Sequence, residues 1–297
     1  MSNSLSPPLE IRHDRIDPGI REAIRRVDQI ARAHDTRYFL TGAMAREIVL
    51  RHVFGRPAGR LTLDVDFGIS VSDWNHFQKL KALLVEQAGF TPDPRQFQRL
   101  RYNVAPAVIV DLIPFGGVER SDRTIAWPPD EDIVMRVAGF DDALASSMQV
   151  RIDKDLIIPV VSIPVLLVLK LFAWADRKQE RRDAPDIYTL LKEYGDAGNE
   201  DRLYGEELSI LEAEGYDVEL AGARLIGRDA AGVISEDTRK RVLEIVASDR
   251  QMEQLRDEIV VSSVRTDPGH AGRCASLVNK FREGFLEKSQ IRSRHSG

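Results

Sequence analysis

The 297-residue chain is long enough for one large domain or two ordinary ones, each with a real core. Hydrophobic residues at 43% and charged residues at 30% exclude a disordered or fibrous chain, and a net charge of -5 argues against a general polyanion-binding surface while leaving room for a local basic patch. The single cysteine, Cys274, excludes an intramolecular disulfide and a cysteine-rich zinc site, and the six histidines form no H-x-x-x-H pair.

The first residues carry no basic segment followed by an apolar run, so no signal peptide is expected and the reduced cysteine suits a cytoplasmic protein. Ile20, Ile24, Val27 and Ile30 at helical spacing predict a helix over Pro18–His34. "YFLTG" (Tyr38–Gly42) reads as a short strand ending at glycine, and "AMAREIVLRHVFG" as a helix closed by Gly55. The strand "LTLDVDFGI" follows, with Leu63, Val65 and Phe67 expected to pack on one side and Asp64 and Asp66 to project together from the other. A helix over Ser72–Ala88 is expected to start at a Ser72 or Asp73 cap and stop at Gly89. "RQFQRLRY" (Arg95–Tyr102) interleaves Arg95, Arg99 and Arg101 with Phe97 and Tyr102, which suits single-stranded RNA and equally suits a solvated edge strand. "AVIVDLIPF" (Ala107–Phe115) is a strand with a lone acid, Asp111, ended by Pro114 and a Gly116–Gly117 turn. "MQVRI" and "LIIPVVSI" form a hairpin around "DKD".

"LIIPVVSIPVLLVLKLFAWA" (Leu156–Ala175) is long enough to span a bilayer, but Pro159, Ser162 and Pro164 interrupt it and Lys170 falls in its more continuous half. A strand followed by a proline-initiated buried helix fits better, and no membrane association is expected. After Ile163 nearly everything reads as helix. The expected division is an α/β domain over residues 1–163 and a helical domain over residues 164–297.

Three carboxylates on neighbouring strands repel by several kcal/mol at an effective dielectric of ~20, and oxygen-preferring cations such as magnesium or manganese relieve that repulsion. Asp64 and Asp66 on a solvated edge, with Asp111 at a strand end, would read the same way from spacing alone. The segment before them favours the metal reading. In "FLTGAMAREI" a glycine and a small residue, Gly42 and Ala43, open a helix, so that a triphosphate can approach backbone N–H groups. Arg46, one turn in, faces those phosphates or makes a surface ion pair.

A glycine-plus-small-residue turn opening a helix, then D-x-D on the next strand and a single Asp on a third, resembles the DNA polymerase β-like nucleotidyltransferase superfamily. Those enzymes usually have Gly-Ser or Gly-Gly at the turn; Gly42–Ala43 keeps the small size without the hydroxyl. "VLLVLKLFAWADRKQERRDAPDIYTLL" is similar to the downstream motif of the AbiEii-type abortive-infection toxins, in which a lysine is followed by an R-D-x-x-D segment. The similar pieces run from about residue 38 to residue 194. The resemblance implies a nucleotidyltransferase-fold mixed sheet with flanking helices, followed by a helical C-terminal domain. It also implies magnesium or manganese on Asp64, Asp66 and Asp111, and a nucleoside triphosphate held by Gly42, Ala43, Arg46, Lys170, Asp183 and Asp186. The implied partners are tRNA or another RNA as acceptor and a co-encoded antitoxin. A small-molecule acceptor, which the acidic charge mildly favours if cationic, and an inactive nucleotide- or partner-binding homologue are the alternatives.

Read from the residues, Lys170, Trp174, Arg177 and Arg181 share one stripe of the helix that begins at Pro164. Pro185 forces a break and restart, for which Asp183 is a natural N-cap with Asp186 in the first turn. Trp174 reads as core. Lys170 is the only charge in Leu156–Ala175, so its ammonium must find water or an anion, expected to be the triphosphate. The cationic run Asp176–Arg182 would extend a basic patch.

Overall fold

The computed structural model describes residues 7–60, 62–176, 183–262 and 269–295, with side chains to residue 292. Arg177, Arg181 and the rest of the 177–182 run lie outside the described residues, as does Leu61. The chain divides into two compact units, one of residues 1–55 and 60–162, the other of residues 56–59 and 163–297.

The first unit is built on an eight-stranded mixed sheet. Its elements are β1 (Leu9–Glu10), α1 (Pro18–Ala33), β2 (Tyr38–Thr41), α2 (Gly42–Glu47), β3 (Asp64–Val71), α3 (Trp74–Gln87), β4 (Phe90–Pro92), β5 (Arg99–Tyr102) and β6 (Val108–Gly116). They continue with a two-stranded ribbon, β7 (Thr124–Ala126) and β8 (Val134–Arg136), then α4 (Phe140–Ala145), β9 (Met148–Asp153) and β10 (Leu156–Val160). The sheet order is β1-β9-β10-β2-β3-β6-β5-β4. The β2/β3, β9/β10, β4/β5 and β5/β6 pairs are antiparallel, and β1/β9, β10/β2 and β3/β6 are parallel.

Local chemistry accounts for the boundaries. Asp17 caps α1 by accepting from the Gly19 and Ile20 amides at 2.8 and 3.2 Å, and Asp73 caps α3 through the His76 amide at 2.9 Å. Gly89 follows α3 with φ +79, a conformation that ends a helix at little cost only for glycine. The segment after Gly42 is helical up to Phe54, but Ile48–Val53 is wound as a π-helix, and Gly55 closes it with φ +67. Alternation along β3 and β6 puts Val65, Phe67, Val110 and Leu112 in the core while Asp64, Asp66 and Asp111 are only half-buried.

Three expectations need correction. Leu63 does not pack with Val65 and Phe67. It precedes the first paired residue of β3 and is 51% exposed. The segment containing Arg99 is not an edge strand, because β4 pairs outside it. The Asp111 strand does not stop at Pro114; it continues to Gly116, with Pro114 opposite Ile69.

The second unit is helical: α5 (Ile163–Asp176), α6 (Ala184–Glu193), α7 (Glu200–Leu203), α8 (Leu208–Ala213), α9 (Val218–Val233), α10 (Glu236–Val246), α11 (Asp249–Ser262) and α12 (His270–His295). Leu225, Ile226, Phe281 and Phe285 are buried where α9 and α12 pack together. Residues 56–59 join this unit because Arg56 pairs with Glu193 at 2.8 Å and Asp196 at 2.6 Å. Trp174 is a core residue whose indole N–H donates to Glu258 at 2.8 Å. Among the described residues no helix is long and apolar enough to cross a membrane.

The strand that carries two of the acids is held in place by a ring laid over a glycine. Phe39 of β2 is the cross-strand partner of Gly68 on β3, and it packs edge-on against Phe115 and Phe140. A Cβ at Gly68 would clash with two carbons of the Phe39 ring. Gly68→Ala is therefore expected to lower unfolding stability by about 1–3 kcal/mol. Urea unfolding checks this, and an unchanged midpoint would show that the ring does not rest on this position.

Candidate active site

The pairing of β3 with β6 decides where the acids stand. Asp66 is the direct partner of Asp111, and Asp64 is two residues back along β3, so all three side chains leave the same face of the sheet. Adjacent strands lie about 4.8 Å apart, and residues i and i+2 about 7 Å apart. At those separations each carboxylate pair repels by about 2–3 kcal/mol at an effective dielectric of 20.

Gly42 meets this face from the other side. It begins α2 directly after Thr41, the β2 partner of Asp66, and has φ +70. A Cβ on Gly42 would overlap the Asp66 carboxylate. Glycine is thus required twice, for the left-handed backbone and for the room that Asp66 takes. Ala43 follows, half-buried, in the first turn. The structure therefore brings Gly42, Ala43, Asp64, Asp66 and Asp111 into one neighbourhood.

Arg46 stands elsewhere. It is 1% exposed and donates through Nη2 to the Arg60 carbonyl at 2.9 Å, so it is neither a surface ion pair nor open to solvent. Through that bond it ties α2 to the chain that leads into β3.

Arg99 has a partner that sequence reasoning did not foresee. As the cross-strand partner of Asp111 on β5, it forms a two-pronged contact, Nε donating to Oδ1 at 2.8 Å and Nη2 to Oδ2 at 2.7 Å. That contact raises the guanidinium pKa above its ordinary value against the opposing effect of burial, and Asp64 adds to the rise. The available signal was the alternation of Arg99 and Arg101 on one face of a strand; the partner across the ladder is not visible in sequence. Among the described residues no three His, Cys, Asp or Glu side chains converge as a metal-binding group. The donor set is all carboxylate oxygen, which suits magnesium or manganese, and in this structure the cation on Asp111 is a guanidinium.

In the helical unit Lys170 finds anions, but they are its own chain's carboxylates. Its ammonium lies 3.1 Å from Asp183 and 2.7 Å from Asp186. Asp183 occupies the N-cap position of α6 without making the capping hydrogen bond, because its carboxylate turns to Lys170. Burial lowers the Lys170 pKa, and Asp186 and then Asp183 outweigh it, leaving the net shift upward.

Asp183 and Asp186 are almost fully buried, so replacing the lysine by an apolar side chain takes a cation from between two buried carboxylates. Lys170→Met is thus expected to cost about 3–5 kcal/mol near neutral pH rather than to stabilise. The raised pKa fixes the sign of the pH effect. The stabilisation is fully present below the ordinary lysine value, 10.5, and is lost as pH rises through the folded value. Chemical unfolding across pH 7–11 should show the gap between wild type and variant narrowing only at the alkaline end. A gap that is small at pH 7 would remove this role.

The sequence model described as "Nucleotidyl transferase AbiEii toxin, Type IV TA system" matches residues 28–260. No curated protein sequence matches the chain. Among solved structures, an antigenic nucleotidyltransferase-like protein from Paracoccidioides brasiliensis aligns with TM-score 0.39 and 14% identity over 66% of this chain and 90% of that one. The antibiotic-resistance factor ANT(2'')-Ia aligns with TM-score 0.35 and 12% identity over 65% and 95%. The Thermotoga maritima CCA-adding enzyme, solved with tRNA, aligns with TM-score 0.25 and 10% identity over 95% and 84%. These likenesses are distant, and the assignment rests on the sequence match. The chain belongs to the AbiEii family of nucleotidyltransferase toxins.

Proposed function

We propose that the protein moves a nucleoside monophosphate from a nucleoside triphosphate to an acceptor hydroxyl, with a divalent cation, magnesium or manganese, held by Asp64, Asp66 and Asp111. The observation that carries this reading is the set of three carboxylates on one face of β3 and β6, laid against the Gly42 turn. Strands that only pack have no use for such a concentration of negative charge. When bound, the cation neutralises charge on the phosphates and lowers the pKa of the acceptor hydroxyl.

Each residue then has a role. Gly42 and Ala43 let the β- and γ-phosphates approach backbone N–H groups at the start of α2. Asp64, Asp66 and Asp111 provide the oxygen ligands. Asp111 aligns the acceptor hydroxyl and takes its proton. The hydroxyl oxygen attacks the α-phosphorus, the bond from that phosphorus to the bridging oxygen breaks, and pyrophosphate leaves. Positioning and charge stabilisation supply the rate.

The acceptor we propose is RNA, with tRNA first, and the setting a cytoplasm in which a co-encoded antitoxin restrains the enzyme. Family membership supports this toxin role. Arg95, in the loop before β5, and Arg101 on β5 are exposed cations and so support a polyanionic acceptor.

Asp64→Asn and Asp66→Asn are each expected to reduce transfer by two or more orders of magnitude while leaving the melting temperature unchanged or higher, since each relieves repulsion in the metal-free protein. The assay incubates protein with each labelled nucleoside triphosphate, magnesium and total tRNA, and follows label into RNA on a gel. A parallel incubation with small cationic acceptors in place of tRNA reads the other acceptor class. Wild-type rates in both Asn variants would exclude the carboxylate site.

A further inference from the structure

Arg99 is placed where a cation in the proposed site would have to go. Its fork takes one lone pair on each oxygen of Asp111 and sets a positive charge against the site, so a metal reaches Asp111 only against that charge and without the carboxylate's two-pronged face while the contact stands. The position is held by backbone. Arg99 and Asp111 are ladder partners, the Leu112 amide donates to the Gln98 carbonyl at 3.0 Å, and the Asp93 amide donates to the Arg99 carbonyl at 3.0 Å. One residue further back, Lys81 donates to the Phe97 carbonyl and lies over the Phe97 ring, 4.6 Å from its centroid. The contact is nevertheless reachable by water, with the arginine side chain 20% and the aspartate 14% exposed.

We propose that Arg99 is a resident counter-ion that a divalent cation must displace from Asp111, so that the third carboxylate becomes a metal ligand only when the guanidinium leaves. This rests on the metal reading above and adds a gate to it. Without Arg99 the three acids would attract free cation in the resting protein; with it, binding a metal requires breaking two charge-assisted hydrogen bonds. Arg101 provides an internal reference. It lies two residues along the same strand, on the same face, and carries the same charge, but its guanidinium is committed to Asp93 at 2.7 Å.

The test titrates manganese into the full-length protein without nucleotide and reads free metal by electron paramagnetic resonance. Arg99→Gln is expected to bind manganese at least tenfold more tightly than wild type. Arg101→Gln, with the same loss of charge, should stay within about twofold. Asp111→Asn should abolish the gain, so that Arg99→Gln/Asp111→Asn binds no more tightly than Asp111→Asn alone. Arg99→Lys keeps the charge without the fork and should fall between wild type and Arg99→Gln, which keeps the proposal testable if the glutamine variant is unstable. Equal affinity in the Arg99 and Arg101 variants, or a gain that survives Asp111→Asn, overturns the gate. Asp64→Asn separates the two readings. If it leaves manganese binding unaltered, the metal site itself is wrong and the gate falls with it; if it weakens binding while Arg99→Gln changes nothing, only the gate is wrong.

Discussion

The register between β3 and β6 is the constraint on which the site depends. In this parallel pair Asp66 faces Asp111, and a slip of one residue would send Asp111 through the sheet into the space now filled by Val110 and Leu112. The core prevents that slip. Val65, Phe67, Val110 and Leu112 are fully buried, and moving either strand by one step would expose them while burying carboxylates. Apolar packing on one face thus holds like charges together on the other. Gly42 extends the same logic to the neighbouring element, because the turn that begins α2 is left free of a side chain where Asp66 needs the space.

How charge is offset differs between the two units. Around Asp111 the counter-ion is a guanidinium whose contact is partly exposed. Around Asp183 and Asp186 it is an ammonium, and those carboxylates are 4% and 2% exposed. Arginine suits the first case because its fork meets a carboxylate with two parallel bonds. Lysine suits the second because one compact charge sits between two acids. In both places a positive side chain sits among carboxylates that would otherwise push one another apart.

Much of this could be read from residues close in sequence. The Gly42 turn, the D-x-D of β3, the lone Asp111, the β9–β10 hairpin and the change to helix after Ile163 are all signalled by periodicity and turn chemistry within a dozen residues. What escaped depends on partners far along the chain or across a ladder. Arg46 reads as facing the phosphates or making a surface ion pair, and its burial, with a bond to the Arg60 carbonyl, is not visible in sequence. Lys170 reads as aimed at a substrate until the restart of the chain at Pro185 brings Asp183 and Asp186 to it. Arg99 reads equally as a nucleic-acid contact or as a charge on a solvated edge strand, since strand order, and with it the neighbour that β5 pairs with, is not encoded in any local pattern. The π-helical winding of Ile48–Val53 has no sequence signal that we can identify.

Exposure also separates the two clusters by what each can do. Exchanging one cation for another on a carboxylate requires both the departing and the arriving ion to be hydrated at some stage, and a sealed pair cannot supply that hydration without opening the fold. The Lys170 cluster is of the sealed kind: removing its cation leaves buried charge, and the penalty falls on stability. The Arg99 contact is partly open to water, with the arginine side chain 20% and the aspartate 14% exposed, so the proposed exchange of cations on Asp111 has hydration at hand. Two clusters of the same composition, one cation among several acids, therefore differ in kind. One fixes the helical unit, while the other leaves a carboxylate that can change partners on the face where the proposed chemistry takes place.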